Sequence, residues 1–245
     1  MPSPESPSFE WRAARYDELR PVDEGWWEIF DDLVRLGSLR GARVLEIGCG
    51  TGQLSSALEE RAAARVWALD AAPAMVARAK ELGVNARVGR GEALPFKRGW
   101  FDAVVMRMVS HLVDRPRVFA EARRVLAPAG RLVIATHDPE SFEAAWFAGF
   151  FPSVLQIERS RFPGEDMLRA ELGGAGFGEV VVERRTQARQ MTREHALDVV
   201  RSQAYSTFEL LPADEFAAGL AQAERDLPPQ GVAYSVSWLL TLAAP

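Results

Sequence analysis

The sequence predicts an α/β protein: a doubly wound, mostly parallel sheet with helices on both faces. Three observations carry that expectation. Short apolar runs alternate with helix-patterned segments from residue 43 to residue 136, a pitch that builds right-handed βαβ units. One run, Arg43–Ile47, passes through a turn with glycine at alternate positions (Gly48, Gly50, Gly52) into a helix-spaced stretch, Leu54, Ala57 and Leu58. The last run, 232–242, alternates apolar and polar residues and reads as a closing strand.

Composition narrows the class. A chain of 245 residues suffices for one α/β domain with additions. Hydrophobic residues at 48% and charged residues at 26% are ordinary for a soluble globular protein. A net charge of −5 argues against a broad basic surface, so no nucleic-acid partner is expected. Cys49 is the single cysteine, which leaves no internal disulfide and suits a reducing compartment. No apolar run reaches the roughly 18–20 residues of a membrane span. Residues 1–8 lack the basic start and apolar middle of a signal peptide and read as a disordered leader. The expected location is the cytoplasm. Nothing in the pattern sets an oligomeric state.

In chain order, Trp26, Phe30, Leu33 and Leu36 have the spacing of an amphipathic helix stopped by Gly37, an N-terminal lid packed outside or over the sheet. The strand 43–47 enters the glycine turn, where positive φ and close approach of a ligand favour glycine. Arg65–Asp70 is a second strand ending in an acid. Ala71, Ala72 and Pro73 lead a helix with Met75, Val76, Ala79 and Leu82 on one face, stopped by Gly83. Strands follow at 86–88 and 101–106. Asp114 caps a helix with Pro116 in its first turn and Val118, Phe119, Ala122, Val125 and Leu126 as its stripe; Pro128, Ala129 and Gly130 end it, and 131–136 is a fifth strand. Beyond residue 137 come an aromatic stretch (Phe142, Trp146, Phe147, Phe150, Phe151), a helix over 164–173, a sixth strand at 180–183, and helices near 192–204 and 212–226. In the last strand, Val232, Tyr234, Val236, Trp238, Leu240 and Leu242 form one buried face. The expected organisation is a single domain over 9–245: lid 9–38, ligand-binding core 40–137, substrate-side segments 138–230 and final strand 231–245.

Two ligand classes fit a strand, a glycine turn and an acid ending the next strand. A dinucleotide site wants Gly-x-Gly-x-x-Gly, and here Gln53 stands where the third glycine belongs. Glu46 before the turn suits a cationic or amine-bearing ligand better than a pyrophosphate. Asp70 suits a ribose diol in either class. The dinucleotide class is disfavoured and stays open on spacing alone.

Five motifs in order, Glu46–Gly52, Asp70, Ala93–Phe96, Phe101–Val105 and Val125–Leu132, together resemble the class I S-adenosylmethionine-dependent methyltransferases. The resemblance covers about residues 40 to 137 and is to the small-molecule branch that includes the quinone-ring methylases. It implies a Rossmann-like seven-stranded sheet whose antiparallel last strand inserts beside the sixth. It also implies S-adenosyl-L-methionine as cofactor, S-adenosyl-L-homocysteine as product, and methyl transfer to a small molecule. By the same resemblance, Glu46 and Gly48, Cys49, Gly50, Thr51 and Gly52 surround the methionine portion and ribose. Asp70 holds the ribose hydroxyls, Ala71 and Met75 lie beside the adenine, and Gly91 and Glu92 lie at its edge. Met106 and Arg107 lie near the methionine end, and Tyr16 and Arg20 belong to the segment that closes over the cofactor. Arg90 stands where the family has an aspartate that accepts from adenine, and arginine cannot accept; Ala129 replaces a usual glycine. A non-catalytic cofactor-binding module is one alternative. An RNA or protein methyltransferase is another, disfavoured by the acidic balance.

Methyl transfer from a sulfonium is an in-line displacement that needs alignment and exclusion of water. A base is needed only if the nucleophile arrives protonated. His111, after the fourth strand and matching the first histidine of a His-His pair in some relatives (the second is Leu112 here), and His137, closing the fifth strand, are the catalytic candidates; packing or capping is the alternative for His111. Asp138 beside His137 reads as a substrate contact or a helix cap. His195 is expected on a helix surface. Three scattered histidines and one cysteine make no metal site. Cys49 reads as a small core residue. The aromatic stretch, with Tyr205, Trp26 and Trp27, suggests a partly apolar acceptor.

Overall fold

A computed structural model describes residues 9–245, so the expected leader, 1–8, lies outside the described residues. The strands are β1 (Arg43–Ile47), β2 (Arg65–Asp70), β3 (Ala86–Val88), β4 (Phe101–Arg107), β5 (Leu126–His137), β6 (Glu179–Met191) and β7 (Val232–Ala244). They form one sheet in the order β3-β2-β1-β4-β5-β7-β6. The pairs from β3 to β5 are parallel, and β7 is antiparallel to both neighbours. This is the expected doubly wound sheet with an inserted antiparallel last strand.

One face is covered by α2 (Glu24–Gly37) and α3 (Gln53–Ala62), whose Ile29, Leu33, Leu54 and Leu58 pack on Val44, Val66, Ala103 and Val133. Helix α4 (Pro73–Glu81) adds Val76 and Ala79 against Ala68 and Ala86. The other face is covered by α5 (Arg115–Val125) and α7 (Glu165–Gly174), through Val118, Phe119, Ala122, Leu168 and Leu172. Local signals hold the ends. Asp23 accepts from the Trp26 amide at 2.9 Å to start α2, and Asp114 caps α5 with a proline in its first turn.

Several expectations need correction. β6 has thirteen residues rather than four, because its second half is polar and shows no apolar alternation. The half of β7 from Trp238 to Ala243 is buried on both faces, not one. It lies between β5 and β6, so Trp238 and Leu240 join the α2 side while Leu239 and Ala243 join the α5 side. α5 ends at Val125 and Leu126 already pairs with Phe101; the register then shifts to Ala103 opposite Arg131, setting Pro128, Ala129 and Gly130 in the irregularity. Leu82 lies past the last residue of α4 and is 52% exposed. Short helices α1 (Tyr16–Leu19) and α6 (Val154–Arg161) were not anticipated; α8 (Arg193–Arg201) and α9 (Ala213–Asp226) were.

The β6–β7 ladder reaches Met191 opposite Val232, whereas β5 stops at His137 opposite Trp238. Residues 186–191 and 232–237 therefore form a two-stranded arm beyond the sheet's carboxyl edge, the edge where open α/β sheets bind ligands. Among the described residues no helix is long and apolar enough to cross a membrane.

Candidate active site

A cavity of about 370 Å³ opens at that edge. Its floor is the glycine turn and the ends of β4 and β5; its walls are the N-terminal segment, the β6–β7 arm and the aromatic stretch after β5.

The turn shows why three glycines are needed. Gly48, Gly50 and Gly52 have φ of 75°, 54° and 89°. A Cβ on Gly48 would meet Val109 Cγ2 at 2.4 Å, and one on Gly52 would meet Ala79 Cβ at 2.9 Å. A Cβ on Gly50 would meet nothing within 4 Å, so this residue faces open space. The Gly48 and Cys49 amides donate to the Leu69 carbonyl at 2.7 and 3.0 Å. Asp70 accepts from the Gly50 and Ala72 amides at 2.8 and 2.9 Å, which fixes it beside the turn with lone pairs to spare. Cys49 packs among Ala68, Val76 and Ala79, and burial pushes its thiol up, the opposite of a nucleophile's environment.

Glu46 is 2% exposed and accepts from Ser55 Oγ at 2.5 Å. Burial pushes its carboxyl up to about 8, against the Ser55 hydrogen bond and the Arg107 charge, which act the other way. Arg107 at the end of β4 lies with its guanidinium carbon 5.1 Å from the Trp26 ring and 5.7 Å from the Trp238 ring. Burial lowers it to about 10, so it remains charged. Arg20 donates to the Ala204 carbonyl at 2.9 Å and lies over Tyr16 and Tyr205.

His111 stacks on Phe162 at 4.0 Å, and its Nδ1 is buried with no hydrogen-bond partner. Burial, then the charge of Arg161, holds it well below the usual imidazole range. His137 packs edge-on to Trp238 at 4.5 Å, and burial lowers it to about 3. Both are neutral imidazoles near pH 7, each able to accept a hydrogen bond at one nitrogen while burial opposes a lasting positive charge on the ring.

Tyr16, Arg20, Glu46, Gly48, Cys49, Gly50, Thr51, Arg107, His111 and His137 all line this one cavity. Gly52, Asp70, Ala71, Met75, Gly91, Glu92 and Met106 lie outside its lining. Met106 turns into the core on the α5 side and Met75 is 1% exposed. The N-terminal segment lies across this end of the turn. The Asp17 carboxylate accepts from Thr51 Oγ1 at 2.6 Å, and Glu10 accepts from the Ala74 amide in the first turn of α4 at 3.2 Å. Arg90 points outward, 65% exposed on its side chain, with Glu92 at 3.6 Å. Asp138 is the cap rather than a substrate contact: it is 4% exposed, accepts from the Glu140 amide and pairs with Arg184. His195, expected on a helix surface, lines the cavity from the first turn of α8.

The far wall escaped sequence reasoning. Gln187, Arg189, Glu158 and Phe162 line the cavity without any motif. Tyr234, Val236 and Trp238 also line it, and the alternation of the last strand had placed them on one face.

Comparisons agree with this geometry. The family described as "Methyltransferase domain" matches residues 45–134. A malonyl-[acyl-carrier protein] O-methyltransferase of Geobacter sulfurreducens is 34% identical over 187 residues, covering 71% of this chain and 70% of the relative. A ubiquinone biosynthesis O-methyltransferase of Xanthomonas campestris is 31% identical over 168 residues, covering 59% of this chain and 70% of the relative. In fold, the chain is similar to a SAM-dependent methyltransferase of Thermotoga maritima, described as a possible histamine N-methyltransferase. The TM-score is 0.60 at 18% identity, with 97% of both chains covered. A doubly wound sheet with a glycine turn before its first crossover helix and a ligand chamber at its carboxyl edge defines a class of nucleotide-cofactor-binding proteins. Within that class, the chain belongs to the class I S-adenosylmethionine-dependent methyltransferases.

Proposed function

We propose that this methyltransferase acts on a small, partly apolar molecule by in-line displacement within the carboxyl-edge cavity. The observation that carries the reading is that a glycine turn fit for the cofactor and two neutral imidazoles share one chamber with an aromatic wall. The turn fits the group: Gly50 leaves open space where a ligand approaches, and Arg20 Nε is buried without a partner. Tyr16, Arg20, Glu46, Gly48, Cys49, Gly50, Thr51, Gly52, Asp70, Ala71, Met75, Gly91 and Glu92 form the proposed cofactor surface; the side chain of Met106 is turned into the core, and Arg107 is turned toward Trp26 and Trp238.

S-adenosylmethionine supplies a methyl group on a positively charged sulfur, so the departing thioether is neutral. Glu46, which burial holds toward its neutral form, would be drawn toward its charged form by a sulfonium or ammonium placed beside it. Asp70, held by two amides, offers its remaining lone pairs to ribose hydroxyls. The segment 9–20 excludes water through the Asp17–Thr51 hydrogen bond. His111 or His137 takes the proton of an O–H or N–H acceptor. Phe142, Phe147, Phe162 and Trp238 offer apolar contact to the acceptor. The names of the O-methyltransferase relatives support an oxygen acceptor, and we place the enzyme in the cytoplasm.

Calorimetry with S-adenosylmethionine and S-adenosylhomocysteine, followed by mass spectrometry of methylated products across a phenol, acid and amine panel, tests the reading. Binding of both and a mass gain of one methylene on an apolar acceptor are expected. No binding at millimolar concentration would sink it.

A further inference from the structure

The charges that line the cavity do not balance, and the imbalance has one address. Arg189 is paired with Asp23, and Gly25 is the residue that leaves room for it, since a Cβ there would stand 1.9 Å from Arg189 Nη1. Glu158 accepts from the Thr207 hydroxyl, and burial pushes its carboxyl up, away from the charged form. Glu46 is held toward its neutral form beside Ser55. Three arginines line the cavity, and of these Arg20 and Arg107 have no carboxylate within ion-pair distance, each with a buried Nε that donates to nothing. A desolvated guanidinium without an anion is costly to keep.

The proposed cofactor brings one carboxylate, against an ammonium and a sulfonium. One carboxylate satisfies one guanidinium and leaves the other. Position separates the two. Arg20 lies on the segment tied to the glycine turn through Asp17 and Thr51. Arg107 leaves β4 on the α2 side, where its guanidinium lies near Trp26 on α2 and Trp238 on β7, on the side of the sheet toward β5 and the arm. Aromatic faces stabilise the cation without using its N–H donors, so its fork stays available for a planar bidentate partner.

We propose that the methyl acceptor is a small-molecule carboxylate, and that Arg107, set between Trp26 and Trp238, is the residue that docks its carboxyl group. The inference rests on the methyltransferase reading and adds the acceptor's chemical class to it. A monoanion matches the single guanidinium left over. Trp238 beside it, and Phe142 and Phe162 on the other side of His137, fit an acid with an apolar or aromatic body.

The test uses the full chain saturated with S-adenosylhomocysteine and matched probes: benzoate, 4-hydroxybenzoate and indole-3-acetate against their primary amides, titrated by calorimetry. At least one acid is expected to bind tenfold or more tighter than its amide. In R107M that preference disappears while the S-adenosylhomocysteine Kd stays within about twofold. R107K, which keeps the charge and loses the fork, serves if R107M does not fold; it is expected to keep cofactor affinity and lose most of the preference. Equal or absent binding of acids and amides by the wild-type complex overturns the proposal. So does a loss of S-adenosylhomocysteine affinity in R107M as large as the loss for the acid, which would give Arg107 to the cofactor's own carboxylate. Failure of S-adenosylhomocysteine to bind the wild-type protein is a separate result, and strikes the methyltransferase reading instead.

Discussion

Replacing Glu46 by glutamine should change how stability depends on pH more than it changes stability itself. Glu46 lies on β1 at 2% exposure with Ser55 Oγ as its hydrogen-bond partner, and burial raises its carboxyl from 4.5 to about 8. A raised folded-state value means the folded chain holds a proton the unfolded chain releases. Stability from this group is therefore full below about 4.5 and is lost as pH rises toward about 8. At about 1.4 kcal/mol per unit, the whole displacement is worth about 5 kcal/mol, and relaxation with water entry reduces it to about 2–3 kcal/mol. Glutamine keeps the shape and an acceptor for Ser55 but cannot ionise. In urea denaturation of the ligand-free protein between pH 5 and pH 9, the wild type should lose about 2–3 kcal/mol relative to E46Q. Parallel profiles for the two proteins would refute the assignment of a proton to buried Glu46.

Other outcomes follow from the same geometry. Gly52→Ala should cost about 2–4 kcal/mol by thermal denaturation, because φ is 89° and the new Cβ would lie 2.9 Å from Ala79 Cβ; an unchanged Tm would contradict it. His137, lowered to about 3, is neutral when folded and protonated when unfolded below its ordinary value near 6.5, so its stabilising effect is lost as pH falls between those values. H137L should flatten the acid limb of the stability curve, measured from pH 7 to pH 4. Asp17→Ala removes the acceptor of Thr51 Oγ1 and should speed S-adenosylhomocysteine dissociation about two- to tenfold in stopped-flow, as expected for one exposed-edge hydrogen bond. His111→Leu should lower kcat by about a hundredfold or more for an O–H acceptor while leaving cofactor affinity unchanged; equal kcat in product-formation assays would remove His111 as the base.

Legibility tracked the locality of each signal. β1, β2 and β3 could be bounded to the residue because apolar runs end at glycines or at Asp70. Asp114 and Pro116 marked the start of α5 through purely local capping chemistry. β6 was cut short because residues 184–190 are mostly polar. They are strand because β7 pairs with them and because their side chains reach α2: Gln187 donates to the Gly25 carbonyl at 2.8 Å and to Glu28 at 2.7 Å, and Arg185 and Arg189 pair with Asp32 and Asp23. No window of sequence contains both partners of such contacts. The same divides the site. Glu46, the glycines and His111 sit in or beside motifs, whereas Arg107 acquires its setting from Trp26 and Trp238, far away on either side in the chain.

The two-stranded arm makes the chamber a linkage as well as a container. Its polar ties to the start of α2 run from Gln187 and Arg189 to Asp23, Gly25 and Glu28, and α2 continues from the segment that holds Thr51 through Asp17. Pushing the arm outward to admit a bulky acceptor pulls on the start of α2, and through it on the cover of the glycine turn. An acceptor large enough to displace the arm would therefore strain the cover of the cofactor turn as well, through contacts that no single element of the fold contains.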